Sequence, residues 1–337
     1  MRHDPPGKPP RGPRQPPASP WARPARDHDD ASATRPPRNR DDASSARPPR
    51  NRDEAGSTRS PHAPHAPRAP YAPRAAEPVH EGEHDHEHGP SARERRSAEL
   101  RLYGLNAVRA VFARRPQAIR KLYLAEARIP AVQPMLKWCV ANKVGYRVVD
   151  EEDLHKLAAS THHEGIVADV LREEPLAMSG WLRDLPAGPQ CAIWLDGVGN
   201  PHNFGAILRS AAHFGVSAIL LPKHSTLSLS GAAARVAEGG AEVVPMVRLG
   251  RTDNAIAQLR SVGFTLAATV VHGGSDLFSA PLPQRVVYVL GAEGEGMDRE
   301  LAAACDLRLS IPGTGAVESL NVASAAAVLL ASWRARR

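Results

Sequence analysis

Three stretches of this 337-residue chain crowd glycine together with amide, hydroxyl and charged side chains, as ligand-holding loops do. The first is Asp196-Gly197-Val198-Gly199-Asn200-Pro201-His202-Asn203-Phe204-Gly205, running into a segment that carries Arg209. The second is Leu290-Gly291-Ala292-Glu293-Gly294-Glu295-Gly296-Met297, and the third runs from Ile311-Pro312-Gly313 through Glu318-Ser319-Leu320-Asn321. Glycine lets a backbone approach a ligand closely, leaving its amides and carbonyls free to bond. Asn203 and Asn321 both donate and accept, whereas Arg209 is a permanently charged donor. A cation of that kind stabilises developing negative charge better than it abstracts a proton.

Two common nucleotide chemistries do not fit these loops. A dinucleotide fingerprint needs Gly-x-Gly-x-x-Gly after the first strand, and the second stretch reads Gly-x-x-Gly-x-Gly after a late strand, with two carboxylates inside it. Those carboxylates would repel a pyrophosphate. No Gly-Lys-Ser/Thr follows any of the glycines, so a phosphate loop is absent as well. An adenosine carrying a sulfonium cation suits the environment better. Taken singly, each residue also has a plain structural reading. Asn203 and Ser319 read as helix caps, Arg209 as a solvated helix residue, Glu295 as a loop carboxylate, and His202 as loop packing. His162 and His163 read as surface residues.

The elements that would position these loops alternate between strand and helix. Strands are expected at Cys191–Leu195, Ala218–Leu221, Val243–Val247, Thr265–Thr269, Val286–Leu290 and Leu307–Ile311. Helices fall between them, one from about Phe204 to Phe214 and the last from about Leu320 to Arg334. Nearly continuous apolar strands separated by helices imply a parallel sheet covered on both faces. Ligands bind such sheets outside the carboxyl ends of the strands, where all three loops fall. Ahead of this part, residues 98–172 alternate helix and strand as a small α/β unit. Residues 173–190, with Pro, Gly and polar residues, read as a linker.

Residues 1–97 have a different character. Twenty of the 32 prolines lie there, Leu, Ile and Phe are absent, and Val79 is the one large aliphatic residue besides Met1. So little apolar surface cannot offset the entropy of ordering a backbone, and the segment reads as a disordered tail. It carries a crude twelve-residue repeat around Arg35-Pro36-Pro37-Arg38-Asn39-Arg40 and Arg47-Pro48-Pro49-Arg50-Asn51-Arg52. It also carries a histidine run at 80–88 that suits adventitious metal binding. The tail reads as a solubilising extension, with an RNA-tethering arm as the other reading. Charge is spread evenly: 18 Lys/Arg against 14 Asp/Glu in the tail, and 25 against 22 beyond it. This balance permits an RNA partner. Three scattered cysteines, Cys139, Cys191 and Cys305, fit neither a metal nor a disulfide pattern, which points to cytoplasm. No apolar run approaches the roughly 20 residues of a membrane span, and the N-terminus lacks a secretory signal.

The three loops, in this order over about 140 residues, resemble the three sequence motifs of the SpoU/TrmH family of SPOUT methyltransferases. Asn203, Gly205 and Arg209 match the first, Gly-Ala-Glu-Gly-Glu-Gly the second, and Ile311-Pro312 through Ser319-Leu320-Asn321 the third. A preceding small α/β unit closed by His163-Glu164-Gly165-Ile166-Val167-Ala168 resembles the RlmB-like layout. The resemblance implies a trefoil-knotted, parallel-sheet methyltransferase domain at 191–337, a homodimer, and S-adenosylmethionine as methyl donor with no metal. It implies methylation of a ribose 2′-hydroxyl in RNA, with a guanosine of large-subunit ribosomal RNA as leading substrate and transfer RNA as runner-up. Arg209, Asn203, Glu293, Ser319 and Asn321 become the catalytic set, with a bidentate Arg209–Glu293 pair. Gly291, Ile311 and Leu320 become the cofactor contacts. Gly199-Asn200, Gly313, Glu318 and Ala323-Ser324 depart from the family's usual residues, which bears on cofactor fit. A non-catalytic RNA-binding or ribosome-assembly factor of the same fold, or an ordinary doubly wound nucleotide enzyme, are the rival classes.

Overall fold

The computed structural model describes residues 98–294 and 296–337. The expected tail at 1–97, its repeat, its histidine run and Glu295 lie outside the described residues. Two sheets organise the rest. The smaller contains β1 (Glu99–Tyr103), β2 (Ile119–Leu124), β3 (Gly145–Val148) and β4 (Ile166–Leu171) in the order β1-β4-β2-β3. Its helices are α1 (Leu105–Arg114), α2 (Ile129–Ala141) and α3 (Glu151–Ala158). β4 runs antiparallel to both neighbours, while β2 and β3 are parallel.

The larger sheet has eight strands, and every pairing in it is parallel. In chain order they are β5 (Leu176–Ala177), β6 (Gln190–Leu195), β7 (Ala218–Leu221), β8 (Met246–Arg248), β9 (Thr265–Thr269), β10 (Ser275–Asp276), β11 (Arg285–Leu290) and β12 (Leu307–Ser310). In space they run β10-β12-β9-β11-β6-β7-β8-β5. From β6 the chain moves outward through β7 to β8, then crosses back to β9, so the order reverses between β6 and β11. That is the switch point at which an open α/β sheet forms its ligand crevice.

The pleat divides the apolar residues of each central strand between two faces. Cys191, Ile193 and Leu195 of β6, with Val286, Tyr288 and Leu290 of β11, face α5 (Pro201–Phe214), α6 (Gly231–Ala237) and α9 (Val322–Ala335). Ala192, Trp194, Val287 and Val289 face α4 (Met178–Arg183), α7 (Thr252–Ser261) and α8 (Arg299–Ala304). The first of these cores continues without a break into the small sheet, through Leu102, Val108, Leu122 and Val170.

The stretch 173–190 is therefore not the bare linker expected from its composition. Leu176–Ala177 pairs with β8 as the edge of the large sheet, and α4 buries Met178 and Trp181. A two-residue strand takes its pairing from its neighbour, which its own sequence cannot show. The strand expected at Val243–Val247 begins at Met246, because Gly240–Glu242 forms a single tight turn and leaves Val243 exposed.

Side chains lock the two sheets together. The Arg115 guanidinium grips Glu242 by two bonds, Nε to Oε2 at 2.6 Å and Nη2 to Oε1 at 2.8 Å. Its Nη1 also donates to the Leu171 carbonyl at 2.6 Å. The Glu242 side chain is only 4% exposed. Helix α6 lies so close to β1 that a Cβ on Gly231 would sit 2.6 Å from the Arg101 carbonyl oxygen. All three cysteines are free, and burial raises each thiol, Cys305 up to about 11, so none is poised as a nucleophile. Among the described residues no helix is long and apolar enough to cross a membrane.

Candidate active site

The first loop leaves β6 and starts α5. Its helix cap is Asn200, whose Oδ1 accepts from His202 N at 2.8 Å and from Asn203 N at 3.4 Å, with Pro201 in the first turn. Asn203 is thus not the cap that its position before Phe204 suggested. The Asn-Pro pair starts the helix three residues earlier, by the ordinary preference for a capping amide followed by proline. Asn203 stands in the first turn with its side chain free to act elsewhere.

The second loop folds back on itself. Ala292 and Gly296 exchange backbone bonds of 2.8 and 3.0 Å, and a Cβ on Gly291 would lie 2.4 Å from the Gly296 carbonyl carbon. Gly291 is glycine because its own loop passes over it. Gly197, at φ +81°, meets Ala292, where an added Cβ would come within 3.0 Å of the alanine Cβ. Asp196 Oδ2 accepts from Asp298 N at 2.8 Å. These contacts bring the loops after β6 and β11 together across the switch point.

The third loop closes the arrangement. Asn321 caps α9, its Oδ1 accepting from Ala323 N at 3.0 Å and Ser324 N at 3.3 Å. Its Nδ2 donates to Asn203 Oδ1 at 3.0 Å and to Glu293 Oε1 at 2.8 Å. One carboxamide therefore joins residues from all three loops, 118 and 28 positions apart in sequence. Glu293 Oε1 also faces Val322 N at 3.4 Å, which sets a carboxylate at the positive end of α9. The cap expected at Ser319 falls at Asn321 instead. Ser319 is exposed and has no hydrogen-bond partner among the described residues. Ile311 is half-buried and Leu320 is 48% exposed. Among the described residues no backbone–backbone hydrogen bond involves residues 311–320, and apart from Ala316 N, which donates to Thr314 Oγ1 at 3.4 Å, the loop keeps its amides and carbonyls available.

Arg209 stands apart from this junction. It follows Asn203 by six residues on one helix, which is about 9 Å along the axis and roughly 240° around it. The expected pair with Glu293 is not formed, because that carboxylate is held by Asn321 and Arg209 lies on another face of α5. Arg209 is exposed and lines a groove with Arg114 and Glu238, against the small sheet's α1. His202 is exposed, with only its backbone bonded. His163, expected at the surface, is 2% exposed. Its Nδ1 accepts from Gly165 N at 3.0 Å, tying the His-x-Gly turn into β4. Sequence reasoning overlooked Asp196, whose carboxylate fixes the second loop. It also noted Asn200 only as a departure from pattern, although the Asn-Pro signature was there to read.

Residues 190–331 match the SpoU rRNA Methylase family, and residues 101–176 match a family described as RNA 2'-O ribose methyltransferase substrate binding. Over 242 residues the chain is 38% identical to a protein of Escherichia coli O157:H7 named Uncharacterized tRNA/rRNA methyltransferase YfiF, covering 72% of this chain and 69% of that one. It is 32% identical over 238 residues to the 23S rRNA (guanosine-2'-O-)-methyltransferase RlmB of Neisseria meningitidis, covering 70% and 95%. An AdoMet-bound rRNA methyltransferase from Sinorhizobium meliloti superposes with a TM-score of 0.60 at 26% identity, over 72% of this chain and 89% of that one.

Proposed function

The chain belongs to the SpoU rRNA methylase family, and from that premise we propose that it methylates the 2′-hydroxyl of a guanosine ribose in 23S ribosomal RNA. The observation that carries this reading is the Asn321 junction, which gathers the three loops at the switch point of a parallel sheet. Transfer RNA is the second reading, favoured by the relative named for both substrates.

The loops fit S-adenosylmethionine, the methyl donor of the family. Residues 311–320 offer backbone donors and acceptors not paired with other backbone, and Leu320 adds exposed apolar surface beside them. Gly291, Ile311 and Leu320 would hold the cofactor. When bound, it supplies an electrophilic methyl group on a sulfonium. The remaining work falls to the chain's own residues. Asn321 and Glu293, fixed by their mutual bond, present polar groups beside the loops that receive the ribose. Asn203 shares that bond through its Oδ1, which leaves its Nδ2 free to hold ribose or loop backbone. Ser319, in the loop before Asn321, offers a hydroxyl without a partner among the described residues. Arg209, exposed and without an acidic partner among the described residues, supplies a fixed positive charge to an RNA phosphate near the reacting nucleotide. The ribose proton leaves to water or to a phosphate oxygen. Holding the ribose in one fixed orientation lowers the barrier of such a transfer by roughly 7–11 kcal/mol in favourable cases.

The small four-stranded unit is the RNA-gripping part of this reading, and its boundary with the methyltransferase part falls within 172–190. We further place the protein in the cytoplasm, as a homodimer whose C-terminal chain threads a trefoil knot. The knot is supported by the path of the chain, which leaves β12 near one edge of the sheet and returns in α9 to pack on α5 and β11. The test is transfer of labelled methyl from S-adenosylmethionine to purified ribosomal and transfer RNA, followed by nucleoside analysis. A 2′-O-methylguanosine in 23S RNA is the expected product. Absence of transfer to either pool, with cofactor binding also absent, sinks the enzymatic reading in favour of a non-catalytic RNA-binding factor.

A further inference from the structure

Between α1 of the small unit and α5 of the large sheet runs a groove of about 610 Å³. Its floor is built from small residues drawn together by close packing. A Cβ on Gly239, which has φ +91°, would fall 2.9 Å from the Ala110 Cβ, and one on Gly240 would fall 2.7 Å from the Leu208 carbonyl oxygen. The glycines let the two units approach without a side chain filling the space between them. Two arginines line this floor from opposite sides: Arg114, in the last turn of α1, and Arg209, in the middle of α5. Both are exposed, and neither forms a hydrogen bond or ion pair among the described residues.

That pattern contrasts with the other arginines nearby. Arg115 is held by Glu242, Arg101 by Asp169, and Arg109 donates to the Ala131 carbonyl. The groove contains one carboxylate, Glu238, and its Oε2 is already engaged by Asn106 Nδ2 at 2.5 Å. Exposed His213 adds a further nitrogen donor or acceptor. An open groove with two guanidinium groups free of ion pairs among the described residues, on separate elements and against a single carboxylate, suits a chain of regularly spaced anions. Each fork-shaped donor set can bind one phosphate through two bonds.

We propose that this groove holds the sugar-phosphate backbone of the RNA, with Arg114 and Arg209 on successive phosphate contacts. The inference rests on the RNA reading of the site and adds Arg114 to it as a substrate-positioning residue on the small unit. The backbone then runs along α5 toward the Asn203 end of the same helix. Because the buried Arg115–Glu242 pair fixes α1 against the large sheet, the span between the two arginines is set before RNA arrives.

The experiment measures binding of the full chain to transcribed 23S ribosomal RNA, and to unfractionated transfer RNA, across a salt series. Arg114→Gln is expected to weaken binding about tenfold, and to lower the slope of log affinity against log salt by about 0.7–0.9. Arg114→Lys is expected to keep most of the slope, since it keeps the charge. Arg183→Gln, on α4 at the opposite face of the sheet, serves as the control for general loss of charge. Equal slopes in wild type and Arg114→Gln overturn the proposal, as does a loss no larger than that of Arg183→Gln. Failure of the wild type to bind either RNA overturns it too. A wild type that binds with the expected Arg114 dependence but transfers no methyl supports the groove while refuting the proposed reaction.

Discussion

Two places in the molecule tie distant parts of the chain together, and they are built in opposite ways. At the joint between the sheets, Arg115 and Glu242 meet through two bonds with side chains 15% and 4% exposed. At the loop junction, Asn321, Asn203 and Glu293 meet through single hydrogen bonds, with Asn321 and Glu293 exposed. A buried ion pair is rigid, because breaking it strands a charge in a poor solvent. Exposed hydrogen bonds exchange with water at little net cost. The joint thus fixes the distance between units, while the junction can exchange its bonds, as its proposed role beside the cofactor and ribose requires.

The contrast predicts separable effects. Arg115→Ala leaves Glu242 buried and uncompensated, and should destabilise the fold by about 3–5 kcal/mol. Denaturant unfolding of the full chain checks this, and a loss below about 1 kcal/mol would mean that the joint is no stiffer than a surface pair. Arg209→Ala should do the reverse. With no partner among the described residues, its loss leaves unfolding unchanged, while kcat/KM for methyl transfer falls by at least about 100-fold. Retained activity in that variant removes Arg209 from the mechanism.

The two amide caps sharpen the comparison at a smaller scale. Asn200 and Asn321 each accept two backbone N–H groups at a helix start. Replacing either by alanine should cost about 1 kcal/mol of stability. Only Asn321→Ala also removes the bonds to Asn203 and Glu293, so only that variant should lower kcat at saturating RNA. Equal kinetic losses in the two variants would show that helix capping, and not the junction, is what matters.

How much of this was legible depended on how local the cause was. The order of the three loops, and their place beyond parallel strands, followed from apolar runs alternating with glycine-rich turns. The Asn200 cap was equally local and was there to be read in Asn200-Pro201. That Asn203 and Arg209 face different ways was legible too, since six residues turn a helix by roughly 240°. Other features depend on partners far away in the chain. β5 exists because β8 offers an open edge. The turn at 240–242 delivers Glu242 to an arginine 127 residues earlier. His163 is buried because α3 and the turn into β4 close over it, which a His-His pair in a polar stretch gives no hint of.

His163 also supplies the smallest expected effect, and it extends the same contrast. Its side chain is buried, Nδ1 is occupied by Gly165 N, and Nε2 has no hydrogen-bond partner. Glu151 Oε2 lies 3.4 Å from that nitrogen, and the His155 ring is 4.8 Å away between centroids. Burial lowers the His163 pKa below its usual 6.5, opposed by the Glu151 charge and reinforced by His155. The unfolded chain then binds the proton more readily than the folded one. Stability is accordingly complete above about pH 6.5 and declines as pH falls from there through the lower folded-state value. His163→Asn retains an acceptor for Gly165 N and does not titrate, so its unfolding free energy should fall less than that of wild type between pH 7.5 and 5.5. Glu151→Gln removes the one opposing charge, and should steepen the decline. Parallel curves for wild type and His163→Asn would mean that this buried imidazole takes up its proton as readily in the fold as in the open chain. The cost of burying an unpartnered polar group would then be absent at the very position where the fold leaves one.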